Sequence, residues 1–209
     1  MKKVVYTTVI GKLYKLYEPT KKNKNWDYVC FTDQNISSKG WNIRKIEKEG
    51  IDDNIVSRKV KILNHLFLNE YDVSLYIDSK FTVKCDLDDF YEKNMPEGKD
   101  ISLMKHHKRD NVYEEAQFCI DNKIGDKDKI EMQIKKYKKE GFPDTLGLLA
   151  PGIMIRKHHI KKIESFMEKW YEHVVNYSGR DQLSFPYLLW KNPLELNLMP
   201  FRKTYDTFR

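Results

Sequence analysis

Apolar and polar positions alternate along the first third of the chain. Val4 to Ile10 is a β-branched and aromatic run closed by Gly11, which predicts a strand. A lysine-rich loop follows (Lys21 to Asn25), then Asp27-Tyr28-Val29-Cys30-Phe31, a second strand ending at Thr32-Asp33. Trp41 to Ile46 alternates, which predicts a third, more exposed strand. From Asp53 the period changes: Val56, Val60, Leu63 and Phe67 recur at i, i+4, i+7 and i+11. That spacing predicts an amphipathic helix of about four turns. Val73 to Ile77 is a short apolar strand ending in Asp78, Asp86 caps a short helix through Tyr91, and Ile101 to Met104 is another strand.

The second half reads as helices around one long strand. Helices are expected over 111–122 and 127–139, the latter stopped by Gly141 and Pro143. Leu148 to Ile155 is an apolar run with a bulge or turn at Pro151-Gly152. Ile160, Ile163, Phe166, Met167, Trp170 and Val174 stripe a long helix. A last helix spans about 181–190, and Leu196 to Met199 is a closing strand. Strands and helices in alternation predict an α/β fold with a mostly parallel central sheet flanked by helices. No repeat, linker or shift of composition divides residues 1–209, so a single domain is expected.

Composition narrows the partners. The chain has 38 Lys+Arg against 31 Asp+Glu, a formal charge of +7, which suits an anionic substrate, nucleic acid or an acidic membrane surface. Only seven of the cations are arginine, and the lysines are dispersed. Dispersed lysine reads as a solvated surface, and no stripe interleaves arginine with aromatics, so no nucleic-acid partner is expected. Cys30, Cys85 and Cys119 lie in apolar stretches without metal-ligand spacing and read as reduced core thiols. The N-terminal apolar run is broken by Thr7, Thr8, Gly11 and Lys12, unlike a secretory signal. No segment approaches the roughly 18 apolar residues of a membrane span. The expected location is cytoplasmic, with peripheral membrane association left open by the basic surface.

Four local clusters could carry chemistry. Asp78 ends an apolar strand, which puts a carboxylate at the sheet edge where open α/β sheets bind ligands; a turn cap is the ordinary alternative. Arg58 and Lys61 lie three apart on one helix face near its start, a diphosphate contact or a solvated face. Lys105-His106-His107-Lys108-Arg109-Asp110 follows a strand and could neutralise phosphate or ligate a metal. Arg180-Asp181-Gln182 opens a helix and combines groups that suit sugar hydroxyls, with a helix cap as the alternative. The chain lacks GxGxxG, Walker, HExxH and GxSxG patterns, which argues against dinucleotide oxidoreductases, P-loop enzymes, zinc proteases and serine hydrolases.

In order along the chain, Val5-Tyr6-Thr7, Cys30-Phe31-Thr32-Asp33, Ser57-Arg58-Lys59-Val60-Lys61-Ile62-Leu63 and Tyr76-Ile77-Asp78-Ser79 resemble a family of GT-A-like glycosyltransferases once catalogued as a domain of unknown function. Its better-known members are plant proteins tied to mucilage and pectin. The resemblance continues through Lys105-His106, Arg109 and Tyr113-Glu114-Glu115-Ala116, then Gln133, Tyr137 and Glu140-Gly141-Phe142-Pro143. Gly147-Leu148, Ile155-Arg156 and Arg180-Asp181-Gln182-Leu183-Ser184-Phe185 complete it, over about residues 4 to 190.

The resemblance implies a Rossmann-like GT-A nucleotide-diphospho-sugar transferase fold. It implies a nucleotide-sugar donor, of UDP type first, and a saccharide or other hydroxyl acceptor in surface glycan or polysaccharide assembly. Tyr6, Thr7, Thr32 and Asp33 would flank the base, with Arg58 and Lys61 at the base or diphosphate. His106, Arg109, Arg156 and Gln182 would complete the donor site. Asp78 would be the first acid of a metal-binding DxD element, with His106 as a further ligand for Mn²⁺ or Mg²⁺. Here the second acid is Lys80: either one carboxylate holds the metal, or Lys80 takes its place beside the leaving diphosphate. An inverting reaction would use Asp181 as base, with Glu114 or Glu115 behind it, and a retaining reaction would need none. The rival from another class is a degenerate GT-A fold that binds nucleotide or glycan without turnover.

Overall fold

The computed structural model describes residues 1–12 and 14–209. Seven strands form one sheet: β1 (Lys3–Val9), β2 (Trp26–Thr32), β3 (Asn42–Lys45), β4 (Val73–Ile77), β5 (Ile101–Lys105), β6 (Leu149–Lys157) and β7 (Leu196–Met199). Their order is β3-β2-β1-β4-β6-β5-β7, and only β6 runs antiparallel to its neighbours, β4 and β5. The mostly parallel α/β sheet expected from the alternation of elements is what forms. The helices are α1 (Asp53–Ile62), α2 (Leu87–Asn94), α3 (Val112–Asp121), α4 (Lys127–Lys139), α5 (Lys161–Asn176), α6 (Asp181–Lys191) and α7 (Phe201–Phe208). None is long and apolar enough to cross a membrane among the described residues.

Successive strand residues feed opposite faces, as the pleat requires. Val4 and Tyr6 of β1, Tyr76 of β4 and Met154 of β6 join the core under α1, α3, α4, α5 and α6. Val5, Val9, Leu75, Ile77, Ile153 and Ile155 face the other way, toward α2 and α7. All three cysteines are free, Cys30 and Cys119 within these cores and Cys85 half-buried. The chain runs outward from β1 to β2 and β3, then returns to place β4 on the other side of β1. This reversal opens a crevice at the carboxyl ends of β1 and β4.

Helix α1 is shorter than the spacing to Phe67 predicts. It ends at Ile62, followed by a 3₁₀ turn over Asn64–Leu66. The cause is Arg156, which arrives on β6 with 1% exposure. Its guanidinium donates to the carbonyls of Lys61 (2.6 Å) and Ile62 (2.8 Å), and the Tyr6 hydroxyl donates to Lys61 O at 2.8 Å. Arg156 also bonds the Tyr6 oxygen. These donors take carbonyls that a helix end leaves open, and a cation at a helix C-terminus is electrostatically favoured. Tyr6 and Arg156 are therefore inside the core, a correction to their expected place at the donor. Thr7 (buried) and Thr32, whose hydroxyl donates to Val9 O at 2.6 Å, are interior too.

Helix α7 is the element the sequence reading does not include. Phe201, Tyr205 and Phe208 recur at helical spacing, and Phe208 packs edge-to-face on Phe90 of α2 (5.0 Å, 85°). That spacing is the signal that marks it.

Replacing Arg156 with Met should leave the Ile62 carbonyl buried without a partner and cost about 3 kcal/mol, whereas Tyr6→Phe should cost about 1 kcal/mol. Urea denaturation checks this. Equal small losses would mean that water caps the helix end instead.

Candidate functional site

A cleft of about 910 Å³ opens where the crevice between β1 and β4 was expected. Its floor carries Thr8 from β1 and Tyr76 and Asp78 from β4; α1, the start of α6, the turn into β6, the loop after β5 and α7 form its walls. Of the side chains nominated from sequence, Arg58, Lys61, Asp78, Lys80, His106, Asp181 and Gln182 line it.

At the centre is a chain of alternating charges. Arg58 Nε lies 3.3 Å from Asp181 Oδ1, and Asp181 Oδ2 accepts from Lys61 Nζ at 2.6 Å. Lys61 Nζ lies 3.8 Å from Asp78 Oδ1, and Asp78 Oδ2 lies 3.7 Å from Lys80 Nζ. Lys61 is only 2% exposed while Lys80 is 64% exposed, so the chain runs from core to solvent. Burial alone would raise the Asp181 carboxyl, but Arg58, Lys61 and Arg180 outweigh it and hold the group well below the usual carboxylate range. Arg58 and Lys61 are not near the start of α1 as expected; they sit at its middle and its last turn.

The other carboxylates along the cleft are engaged as well. Asp52 caps α1 by accepting from the Asn54 and Ile55 amides, and Asp53 accepts from Lys48 Nζ at 2.7 Å. Asp78 Oδ1 accepts from the Tyr76 hydroxyl at 3.1 Å, itself 3.4 Å from the Thr8 hydroxyl. Gly152 is required beside Asp78: its carbonyl accepts from the Asp78 amide at 2.8 Å, and a Cβ there would come within 2.7 Å of Asp78 Oδ2.

Three nominations for a catalytic base need correction. Asp181 is a poor proton acceptor because two cations hold it ionised. Glu115 is buried between two arginines, bonded by Arg109 Nε and 3.4 Å from Arg180. Glu114 caps the start of α3 from outside the cleft, accepting from the Asp110 amide and Asn111 Nδ2. Arg109 does not line the cleft; through Glu115 it backs Arg180, which does. Asp33 is likewise outside, holding the turn after β1 by accepting from Gly11 N (2.9 Å) and pairing with Lys48 (2.9 Å).

The expected metal ligands do not fit a divalent cation. Among the described residues no three His, Cys, Asp or Glu side chains gather to hold one. Both imidazole nitrogens of His106 are engaged: Nδ1 accepts from the Lys108 and Arg109 amides, and Nε2 is 3.4 Å from the Arg109 guanidinium. Burial and the nearby Arg109 also pull its pKa below the ordinary value. Asp78 stands between two lysines. Hard dications take several anionic or neutral oxygens, and this donor set offers one carboxylate flanked by cations.

Sequence reasoning missed several cleft residues. Thr8, not Thr7, reaches the floor, and strand alternation could not say which side carries the cleft. Arg180, adjacent to the nominated Asp181, lines it with a buried Nε that has no hydrogen-bond partner, whereas Arg58 Nε faces Asp181 at 3.3 Å. His107, Phe201 and Tyr205 form an aromatic wall, His107 stacked on Phe201 at 3.8 Å and Phe201 on Tyr205 at 5.1 Å.

Comparison with known proteins bears on the family and the fold. The model of the family described as TOD1/MUCI70, glycosyltransferase-like domain, matches residues 3–204. The fold is similar to the crystal structure of mouse xyloside xylosyltransferase 1 (12% identity, TM-score 0.50), covering 93% of this chain and 84% of that one. It is similar also to the WbbM bifunctional glycosyltransferase (14% identity, TM-score 0.54), covering 95% of this chain and 38% of that one. No curated protein matches by sequence. The likeness shows the GT-A fold.

Removing either partner of the buried pair should be costly, about 3–5 kcal/mol for Asp181→Asn or Lys61→Met, because the other charge is stranded. The double variant Lys61→Met/Asp181→Leu should cost less than the sum, by about 2 kcal/mol. The Asp181 contribution should be complete above the unfolded carboxyl pKa of about 4 and fade only as pH falls toward the depressed folded value. Denaturation midpoints of the three variants across pH would show this, and strict additivity would deny the coupling.

Proposed function

The chain belongs to the TOD1/MUCI70 glycosyltransferase-like family, and from that premise we propose that it moves a sugar from a nucleoside-diphosphate sugar to a hydroxyl of a saccharide or other acceptor. The observation that carries this reading is the cleft at the β1/β4 switch point with the Asp181-paired Arg58 and the buried, unpartnered Nε of Arg180 along it. Seven Lys or Arg and four Asp line the cleft, a balance that favours an anion. An unsatisfied buried guanidinium N–H points to a ligand with oxygen acceptors. The volume is in the range that takes a nucleotide-sized ligand.

UDP sugars, hexosyl or pentosyl, are the donors to test first, with surface glycan or polysaccharide assembly as the setting and a glycan or other hydroxyl compound as acceptor. The residues we assign to the donor are Arg58, Lys80 and Arg180 at the diphosphate, with Asp78 and Gln182 toward the sugar. Gln182 Nε2 is 3.4 Å from the Leu149 carbonyl, which steadies its amide at the cleft.

Each carboxylate lining the cleft is already capped, paired or bonded, so among the described residues no free carboxylate stands ready as a base for an acceptor hydroxyl. The proton then goes to the leaving phosphate oxygen. The C1–O bond to the diphosphate breaks with its electron pair passing to that oxygen, and the acceptor oxygen bonds C1 from the same side. The product keeps the donor's anomeric configuration.

Following UDP release from a set of UDP sugars by ³¹P NMR should show slow donor hydrolysis. Asp78→Ala should reduce it by about 10²-fold or more while leaving the unfolding midpoint near that of the parent. Proton couplings of the product should show retention, and inversion would require a base the reading lacks. Tight UDP binding with neither hydrolysis nor transfer would instead make the chain a non-catalytic binding module.

A further inference from the structure

We infer that side-chain cations, not a divalent metal, neutralise the diphosphate of the donor, with Arg58, Lys80 and Arg180 in contact with it and Lys61 serving as the fixed cation beside Asp78. This rests on the nucleotide-sugar reading and names how that site meets its anion.

Three independent observations support it. The first is occupancy. A strand-end acid of the DxD kind binds metal through free oxygens, and here one oxygen of Asp78 is hydrogen-bonded and each lies within 4 Å of an ammonium. Oδ1 accepts from Tyr76 and lies 3.8 Å from Lys61, and Oδ2 faces Lys80 at 3.7 Å. The second is position. Lys61 Nζ lies between the carboxylates of Asp181 and Asp78 and 4.9 Å over the Tyr76 ring. An ammonium bridging two acids is already where a metal bridging two acids would be. It cannot be displaced cheaply, since it is buried and Asp181 has no better partner.

The third is charge. At this end of the cleft Arg58, Lys61, Lys80 and Arg180 stand with Asp78 and Asp181, backed by the Arg109–Glu115 pair behind Arg180. Five cations against three carboxylates leave an excess of two, which matches the two charges of a diphosphate diester. When the glycosidic bond breaks, one more negative charge develops on the leaving phosphate oxygen. Donors fixed before the reaction meet that charge without reorganising. Arg58 and Arg180 are such donors, because Asp181 and Glu115 hold them in place, and the Nε–H of Arg180 is left unbonded. Lys80, exposed at the surface, can follow the leaving group.

The test is a thermal-shift and calorimetric panel of UDP, GDP, CDP, ADP and inorganic pyrophosphate, each with EDTA and with Mn²⁺. We expect one nucleotide and pyrophosphate to bind equally well in both arms. Lys80→Ala, a change at an exposed position that spares the fold, should weaken both at least tenfold, and Lys80→Arg should restore most of the loss. Lys80→Asp supplies the second acid and should make binding depend on Mn²⁺, seen independently as loss of the free-Mn²⁺ signal in electron paramagnetic resonance.

Binding by the parent chain only when Mn²⁺ is present would overturn the inference and leave the nucleotide-sugar reading standing. Pyrophosphate bound in EDTA with no nucleotide bound would do the reverse. No binding of either would sink both. A Lys80→Asp chain indifferent to Mn²⁺ would count against Lys80 occupying the metal's place.

Discussion

Lys61 is an ammonium at the last turn of a helix packed on a sheet, all but cut off from water. A lone charge in that place would be neutralised or expelled, since desolvation costs several kcal/mol per ion. It is kept because Asp181 arrives 120 residues later with an oxygen 2.6 Å away, and because the helix end is itself negative. Much of the cleft depends on this pairing. The same Asp181 steadies Arg58, the same Lys61 reaches Asp78, and the backbone carbonyl of Lys61 is the acceptor that fastens Arg156 and Tyr6. A hydrophobic pair of equal volume could hold α1 to α6 as firmly. It could not orient a guanidinium and a strand-end carboxylate toward one space.

Much of the fold could be read from the chain because its elements are locally consistent. Helix α4 spans the expected 127–139 and ends before Gly141, and β4, followed by Asp78, is apolar except at Ser74. The position of Asp78 at the cleft followed from one rule about sheet edges. The errors have a common physical source. Tyr6, Thr7 and Arg156 belong to strands that border the cleft and Thr32 to the neighbouring β2, and a strand says that its residues alternate, not which face is covered by helices. Arg156 was misplaced for a further reason: a buried arginine without a carboxylate partner is uncommon. Its partners, two carbonyls at the end of α1, are invisible to a pattern of side chains.

The candidate site was half legible. Arg58, Lys61, Asp78, His106, Asp181 and Gln182 were found because they sit in polar clusters at or near strand and helix ends, and Lys80 because the resemblance marks its position. Their roles were not, because roles depend on pairing. Asp181 looks like a base until Lys61 and Arg58 are beside it, and Glu115 looks available until Arg109 and Arg180 close over it. His106 resembles a metal ligand only while its ring nitrogens are uncommitted. The departure at Lys80 was the one feature of the sequence that anticipated the electrostatics, since a lysine cannot stand where a metal's second acid would be without changing what the site prefers to hold.

The contacts that complete the cleft join the most distant parts of the chain: residue 6 with 156, 61 with 181, and 78 with 152. Pairings of such long sequence separation are the slow ones to form, because each closes a large loop before any contact rewards it. The strands β1, β2 and β3 with α1 can assemble early, while the anion site must wait for β6 and α6 to arrive. During synthesis the chain thus passes through a long interval in which Lys61 is present without Asp181. Its ammonium must then remain in water, and the end of α1 must remain frayed. Competence to bind is in this sense a late event in folding, reached only when the last third of the chain has docked.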